Sequence, residues 1–142
     1  MSKVKRHVLA LDQTVDFEMI GICSHHSDYR LVWGLNQQLK LHLAKADDLF
    51  VIHSKKGTTQ SQHSYYFWSD EANHMEYYLI KNKYEGKFLI PEKNQIDYFL
   101  FLRENVFFEL DDILDNVKKV TSVMAAFIID SDEAPSAEQI LF

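Results

Sequence analysis

Cysteine occurs once in this 142-residue sequence, proline twice and glycine four times. The single cysteine, Cys23, rules out a disulfide within the chain and fits a reducing compartment. So little proline and glycine leaves no stretch with the composition of a flexible linker or a low-complexity segment. Long apolar runs are missing too. None approaches the ~20 residues that a membrane span requires, and Val8 to Leu11, behind a basic start, is too short for a signal peptide. Positive charge is also scarce: 15 basic residues face 21 acidic ones, a net charge of −6 that repels a phosphate backbone. The basic residues cluster only weakly, at Lys3, Lys5 and Arg6 and again at Lys55 and Lys56, too few for a nucleic-acid surface. The expectation is a soluble cytoplasmic protein with neither nucleic acid nor membrane as partner.

What the sequence does have is apolar and aromatic content, 46% and 13%. In one domain of this size roughly two-thirds of the unfolded surface is buried, so a substantial core is possible. Residues 1–130 read as that domain and 131–142 as an acidic tail, although Ile140, Leu141 and Phe142 are apolar enough to dock.

Arg6 to Leu11 is a modest strand candidate, followed by a turn at Asp12 to Thr14. Phe17 to Cys23 alternates between two apolar faces, Phe17, Met19, Gly21 and Cys23 on one and Ile20 and Ile22 on the other. A helix with Ser27 or Asp28 as N-cap is predicted to run to about Leu43, with Leu31, Val32, Leu35 and Leu39 as its apolar stripe. Gly34 inside it is expected to lie close against a strand. Leu49 to His53 reads as a short strand, Ser54 to Gln62 as a polar loop, and Ser64 to Trp68 with Glu76 to Ile80 as a hairpin. Asn82 to Gly86 is a further turn. Leu110, Ile113, Leu114, Val117 and Val120 form a second helical stripe, with acidic residues at its start and lysines at its end to suit the helix dipole. Val123 to Ile129 closes the series as a strand.

The chain is organised around residues 89–104. Pro91 removes a backbone donor and ends the run Lys87 to Ile90. Ile96 to Leu102 then reads as a strand buried on both faces, Ile96, Tyr98, Leu100 and Leu102 on one, Asp97, Phe99, Phe101 and Arg103 on the other. Ile90-Pro91-Glu92 followed by Asp97-Tyr98 resembles the signature of the IPExxDY family, a small bacterial family of unestablished activity. Further similar stretches are Ile20 to Ile22, Asp28 to Leu31, Asp47 to Leu49 and Glu76 to Ile80. Four residues, Lys93 to Ile96, stand between Glu92 and Asp97 where the family name has two. The resemblance implies no catalytic residue, cofactor or substrate.

The element order fits an α+β fold: a mainly antiparallel sheet with two helices on one face, a ferredoxin-like frame with extra strands and an ACT-like closing unit. Two helices cover only one face of such a sheet, and the second is apolar as well. A two-fold dimer stacking sheet on sheet is the expected cover, with Phe99 and Phe101 in the contact; extra strands or the tail folding back would be the intramolecular solution.

Candidate chemistry is sparse. Cys23, His25 and His26 are ligand types for zinc, but the paired spacing of a structural site is absent, and Cys23 falls on an apolar strand face. No catalytic residue, metal site or cofactor is expected. Ser24, His25, His26, Ser27 and Arg30 surround a helix start, where free backbone donors can hold a small anion unless Ser27 or Asp28 caps them. Glu92 and Asp97 suggest an acid-base pair only if both are free; pairing of Asp97 with a cation or a backbone amide is the expected state. Tyr65, Tyr66, Phe67, Trp68, Tyr77 and Tyr78 can stack bases, but without a basic surface cross-strand packing accounts for them. The reading is a non-catalytic interaction or regulatory module acting as a homodimer, with an unidentified protein partner possible. The alternative is a sensor that binds a small anionic metabolite at the helix start or the dimer seam.

Overall fold

The computed structural model describes residues 16–142. The strand expected at Arg6 to Leu11 and the turn after it lie outside the described residues, as do Lys3, Lys5 and Arg6. The protein is α+β. Among the described residues six strands form an antiparallel sheet from Phe17–Cys23 (β1), Ala44–Lys45 (β2), Tyr65–Asp70 (β5), Met75–Lys81 (β6), Tyr98–Arg103 (β9) and Ala125–Ile129 (β10), in the order β10-β1-β9-β6-β5-β2. The organising strand β9 lies inside it, pairing Phe99 with Gly21 of β1 and with Ile80 of β6. No helix is long and apolar enough to cross a membrane among the described residues.

Because successive strand residues point to opposite faces, β1, β6 and β9 feed two separate cores. Ile20, Ile22, Leu79, Tyr98, Leu100 and Leu102 belong to the first. It is closed by Leu31, Val32 and Leu35 of the helix Asp28–Leu39 (α1) and by Leu110, Ile113 and Val117 of the helix Leu110–Lys118 (α2). Helix α1 ends four residues before the expected Leu43. Lys40 takes a positive φ of 60° and its N–H bonds back to the Asn36 carbonyl, while the Asn36 side chain holds both backbone groups of Leu43 at 3.0 and 3.1 Å. Leu41 and Leu43 stay buried through this bend rather than through a further helical turn. Gly34 meets no strand: a Cβ there would lie 2.6 Å from Val120 Cγ1, so its lack of a side chain lets the segment after α2 approach α1.

The second core holds Met19, Ile80, Phe99, Phe101 and Ile129, and the same chain covers it. Phe50 and Ile52 come from Phe50–His53 (β3), which pairs with Thr59–His63 (β4); Leu89, Ile90 and Ile96 come from the proline-marked loop; Ala134, Ala137 and Ile140 come from the tail. Three expectations are corrected here. Phe99 and Phe101 are 0% exposed in the single chain, so they do not form a dimer face. The tail, folded into 3-10 turns at Ser131–Glu133 and Pro135–Gln139, docks through Ala134, Ala137 and Ile140, so the packed domain extends past residue 130. Part of the expected polar loop Ser54 to Gln62 is strand β4: only its alternate residues Ser61 and His63 turn inward, and both are polar. Ile96 also changes face. The strand begins at Tyr98, and Ile96 packs over Gly21, whose missing Cβ would otherwise lie 3.1 Å from Ile96 Cδ1.

Candidate functional site

The loop between Lys81 and Tyr98 carries Ile90, Pro91, Glu92 and Asp97 of the motif that the sequence singles out. It opens with a small hairpin, Lys83–Tyr84 (β7) against Lys87–Phe88 (β8), whose two-residue turn has positive φ at both Glu85 and Gly86. Pro91 then starts a 3-10 turn, Pro91–Lys93, where its missing N–H costs nothing. An irregular path of this kind leaves backbone groups that no ladder satisfies, and one side chain takes up several of them. Asn82 is 0% exposed. Its amide donates to the carbonyls of Lys93 at 3.0 Å and Ile96 at 2.8 Å, and its side-chain oxygen accepts from the Ile90 N–H at 3.0 Å. Its backbone donates to the Asp97 carbonyl and accepts from the Leu89 N–H. Sequence reasoning read Asn82 only as a turn residue. A buried amide leaves no periodic signal.

The motif residues take up different tasks around this centre. Ile90 is buried in the second core. Glu92 points to the tail, accepting from the Ser136 N–H and, at 2.8 Å, from its hydroxyl. Burial alone would raise the Glu92 carboxyl, but the two Ser136 bonds outweigh it and hold it below its usual value. Lys93 adds an ion pair with Glu133 at 3.0 Å. Asp97 turns the other way and accepts from the Ser24 N–H at 2.8 Å. Glu92 and Asp97 are therefore engaged with different partners and not with each other. Tyr98 is buried in the first core, where burial, then the charges of Asp28 and Asp97 and the neighbouring Tyr66, push its hydroxyl up to about 12. Tyr66 is likewise pushed up to about 12 by burial and by Asp28, which accepts its hydrogen bond.

Ser24 joins this network to the helix start. Its hydroxyl donates to the Ser122 carbonyl at 2.7 Å and accepts from the His26 N–H at 3.1 Å. Ser27 stands at the N-cap without a capping side-chain bond, and Asp28 accepts from the Tyr29 N–H at 2.7 Å. His25, His26, Ser27 and Arg30 are exposed. Ser24, His26, Asp97 and Tyr98 share an open groove of about 510 Å³ with Lys81, Lys83 and Glu85; His25, Ser27 and Arg30 do not line it. The Cys23 thiol lies 3.7 Å from the Gln95 carbonyl and is pushed up by burial and by the Asp97 charge, the opposite of what a nucleophile or metal ligand requires. Among the described residues no three His, Cys, Asp or Glu side chains are grouped to hold a metal ion.

A second groove of about 510 Å³ runs on the other side of the loop, between Glu92 to Ile96 and the edge strand residues Phe127 to Ile129. The aromatic set splits between the two faces: Trp68 stacks on Tyr77 at 5.6 Å, while Tyr65 and Tyr78 pack around Phe50 and Phe142. No family model matches the chain, and no curated protein matches it.

Proposed function

We propose that the chain is a non-catalytic, cytoplasmic interaction or regulatory module that works as a homodimer. One observation carries this reading: the side chains best suited to chemistry are committed to holding the fold. Asp97 anchors the Ser24 loop, Glu92 anchors the tail, Asn82 holds the proline-marked loop, and the Cys23 thiol is kept protonated by its surroundings. What the surface offers instead is apolar: Tyr29 and Trp33, one helical turn apart on α1, and Met124 and Phe127 at the sheet edge. The strand sequence β10-β1-β9-β6 follows the order of a ferredoxin-like frame, with β5 and β2 as additions. Membership of the IPExxDY family belongs to the same proposal, and the structural tasks of Ile90, Glu92, Asp97 and Tyr98 give that motif a physical meaning without a reaction. Light scattering across a dilution series tests the assembly: a stable species of twice the 16.7 kDa chain supports the reading, and a monomer at all concentrations refutes it.

A second reading is favoured by Lys81, Lys83 and His26 lining one groove beside the α1 start. Here the protein senses a small anionic metabolite. Its test is a saturable rise in melting temperature with phosphate or a dicarboxylate, lost in Lys81→Ala and Lys83→Ala; no rise with either anion removes it.

A further inference from the structure

The two edges of the sheet are built differently. At one end β2 is only two residues long and contains Lys45, a blunt edge of the kind that resists pairing. At the other, β10 is five residues, and the run Val123 to Ile129 has no charge and no proline. Met124 is 61% and Phe127 50% exposed beside it. Among the described residues β10 pairs only with β1.

The backbone alternation says which groups are left over. Ile22 accepts from the Asp97 N–H on the β9 side of β1, and Cys23 accepts from the Met124 N–H on the β10 side. The odd residues of β1 therefore exchange bonds with their partners Ala125, Phe127 and Ile129, and the N–H and C=O of Ala126 and Ile128 turn outward. An edge left without a neighbour among the described residues, beside half-exposed apolar side chains, is a template for another strand.

We infer that two copies pair antiparallel along β10, joining their sheets across a two-fold axis at Phe127. This rests on the homodimer reading above and names its surface. In this register Ala126 exchanges backbone bonds with Ile128 of the second copy, and the two Phe127 residues form the close, non-hydrogen-bonded central pair. Charge decides for a second copy over an unrelated strand. Lys118 and Lys119 close α2, which leads into β10 through Val120 to Met124, while Asp130 and Asp132 follow the strand's end, and all four are exposed. Antiparallel pairing brings the basic end of one copy to the acidic end of the other, twice. That local match opposes the general repulsion between two chains of net charge −6.

The test uses the full chain. Phe127→Lys places like charges opposite each other and removes the aromatic pair, and should weaken the dimer by on the order of 100-fold with the circular dichroism of the fold unchanged. Lys119→Glu and Asp130→Lys should each weaken it, and the double exchange should restore it. In a Cys23→Ala background, Phe127→Cys should cross-link on mild oxidation, since a close antiparallel pair fits disulfide geometry, whereas Met124→Cys, opposite Asp130, should not. A dimer that survives Phe127→Lys and fails to cross-link through Phe127→Cys overturns this surface while leaving the homodimer standing. A monomeric wild type overturns both.

Discussion

The two faces of the sheet bury comparable apolar side chains under covers of different kinds. On the face of Tyr98, Leu100 and Leu102 the cover is two helices, whose backbone groups satisfy each other. On the face of Phe99 and Phe101 it is a hairpin, a loop and a tail in 3-10 turns, and of these the loop and the tail leave backbone groups that no ladder satisfies. Buried backbone groups without partners are costly, so an irregular cover has to borrow side chains. Asn82 and Glu92 meet that need on the second face, and Lys93 adds an ion pair with Glu133. Helix α1 borrows only near its ends, where Asp28 accepts from the Tyr29 N–H and Asn36 holds both backbone groups of Leu43. The comparison teaches that a cluster of polar residues beside a proline can mark the seam of a core rather than a reaction centre.

The largest effects should come from hollowing out the two cores. Phe101→Ala should cost about 3–5 kcal/mol and Leu100→Ala about 2–5 kcal/mol in chemical denaturation. A cost well below 2 kcal/mol for Phe101→Ala alone would mean that the tail-side cover is loose and that its face is only nominally buried.

Acid should separate the faces next. His63, fully buried in β4 with its Nε2 2.9 Å from the Ser61 hydroxyl, is pushed down to about 4 by burial, against an opposing contribution from the Lys81 backbone. Its neutral form is the one that folds. The unfolded chain binds the proton from its ordinary value of 6.5 downward, so stability is complete above that pH and falls as the pH drops through 6 and 5 toward 4. The loss should reach roughly 3 kcal/mol. Equilibrium unfolding from pH 7 to 4 checks it, and His63→Gln should flatten this limb. An unchanged slope in that variant would place the acid sensitivity elsewhere.

The smallest effect is local. Glu92→Gln weakens the clasp on Ser136 and should cost about 1 kcal/mol, read as roughly fivefold faster amide exchange at Ser136 and Ala137, with α1 protection unchanged. Because Glu92 is held below its usual value, the wild type should show the same loosening only as the pH falls through the folded carboxyl's titration. Equal loosening in α1 would show that the two covers open together.

Several features were legible residue by residue. The unbroken apolar run of β9, the alternation in β1 and the stripe of α2 each identified an element, and together they announced a sheet buried on both faces. The Asp97 partner was anticipated as a cation or a backbone amide, and it is the Ser24 N–H. For the second face a partner chain is the first expectation and extra strands or the tail folding back the alternative, and it is the alternative that covers it. Its contributors are short and scattered: Phe50 and Ile52 sit on a four-residue strand, and Ala134 and Ala137 are too small to announce a core. Ser61 falls in the expected loop and His63 just beyond it, outside any expected element, because polar residues facing inward reverse the usual sign of the pattern. Asn82 stayed unremarked because its value lies in three bonds reached across 8 to 14 residues.

By itself the sequence determined the two helices and the longer strands of the sheet, the apolar character of both sheet faces and the exclusion of a disulfide within the chain. Those properties follow from periodicity and composition, which are local. Only the tertiary structure decided that the chain covers its own second face, that the polar residues around Pro91 fasten loop and tail, and that among the described residues β10 rather than Phe99 and Phe101 is left open. Each of these depends on which distant segments meet, and the free energy of such meetings is not written in any one of the segments.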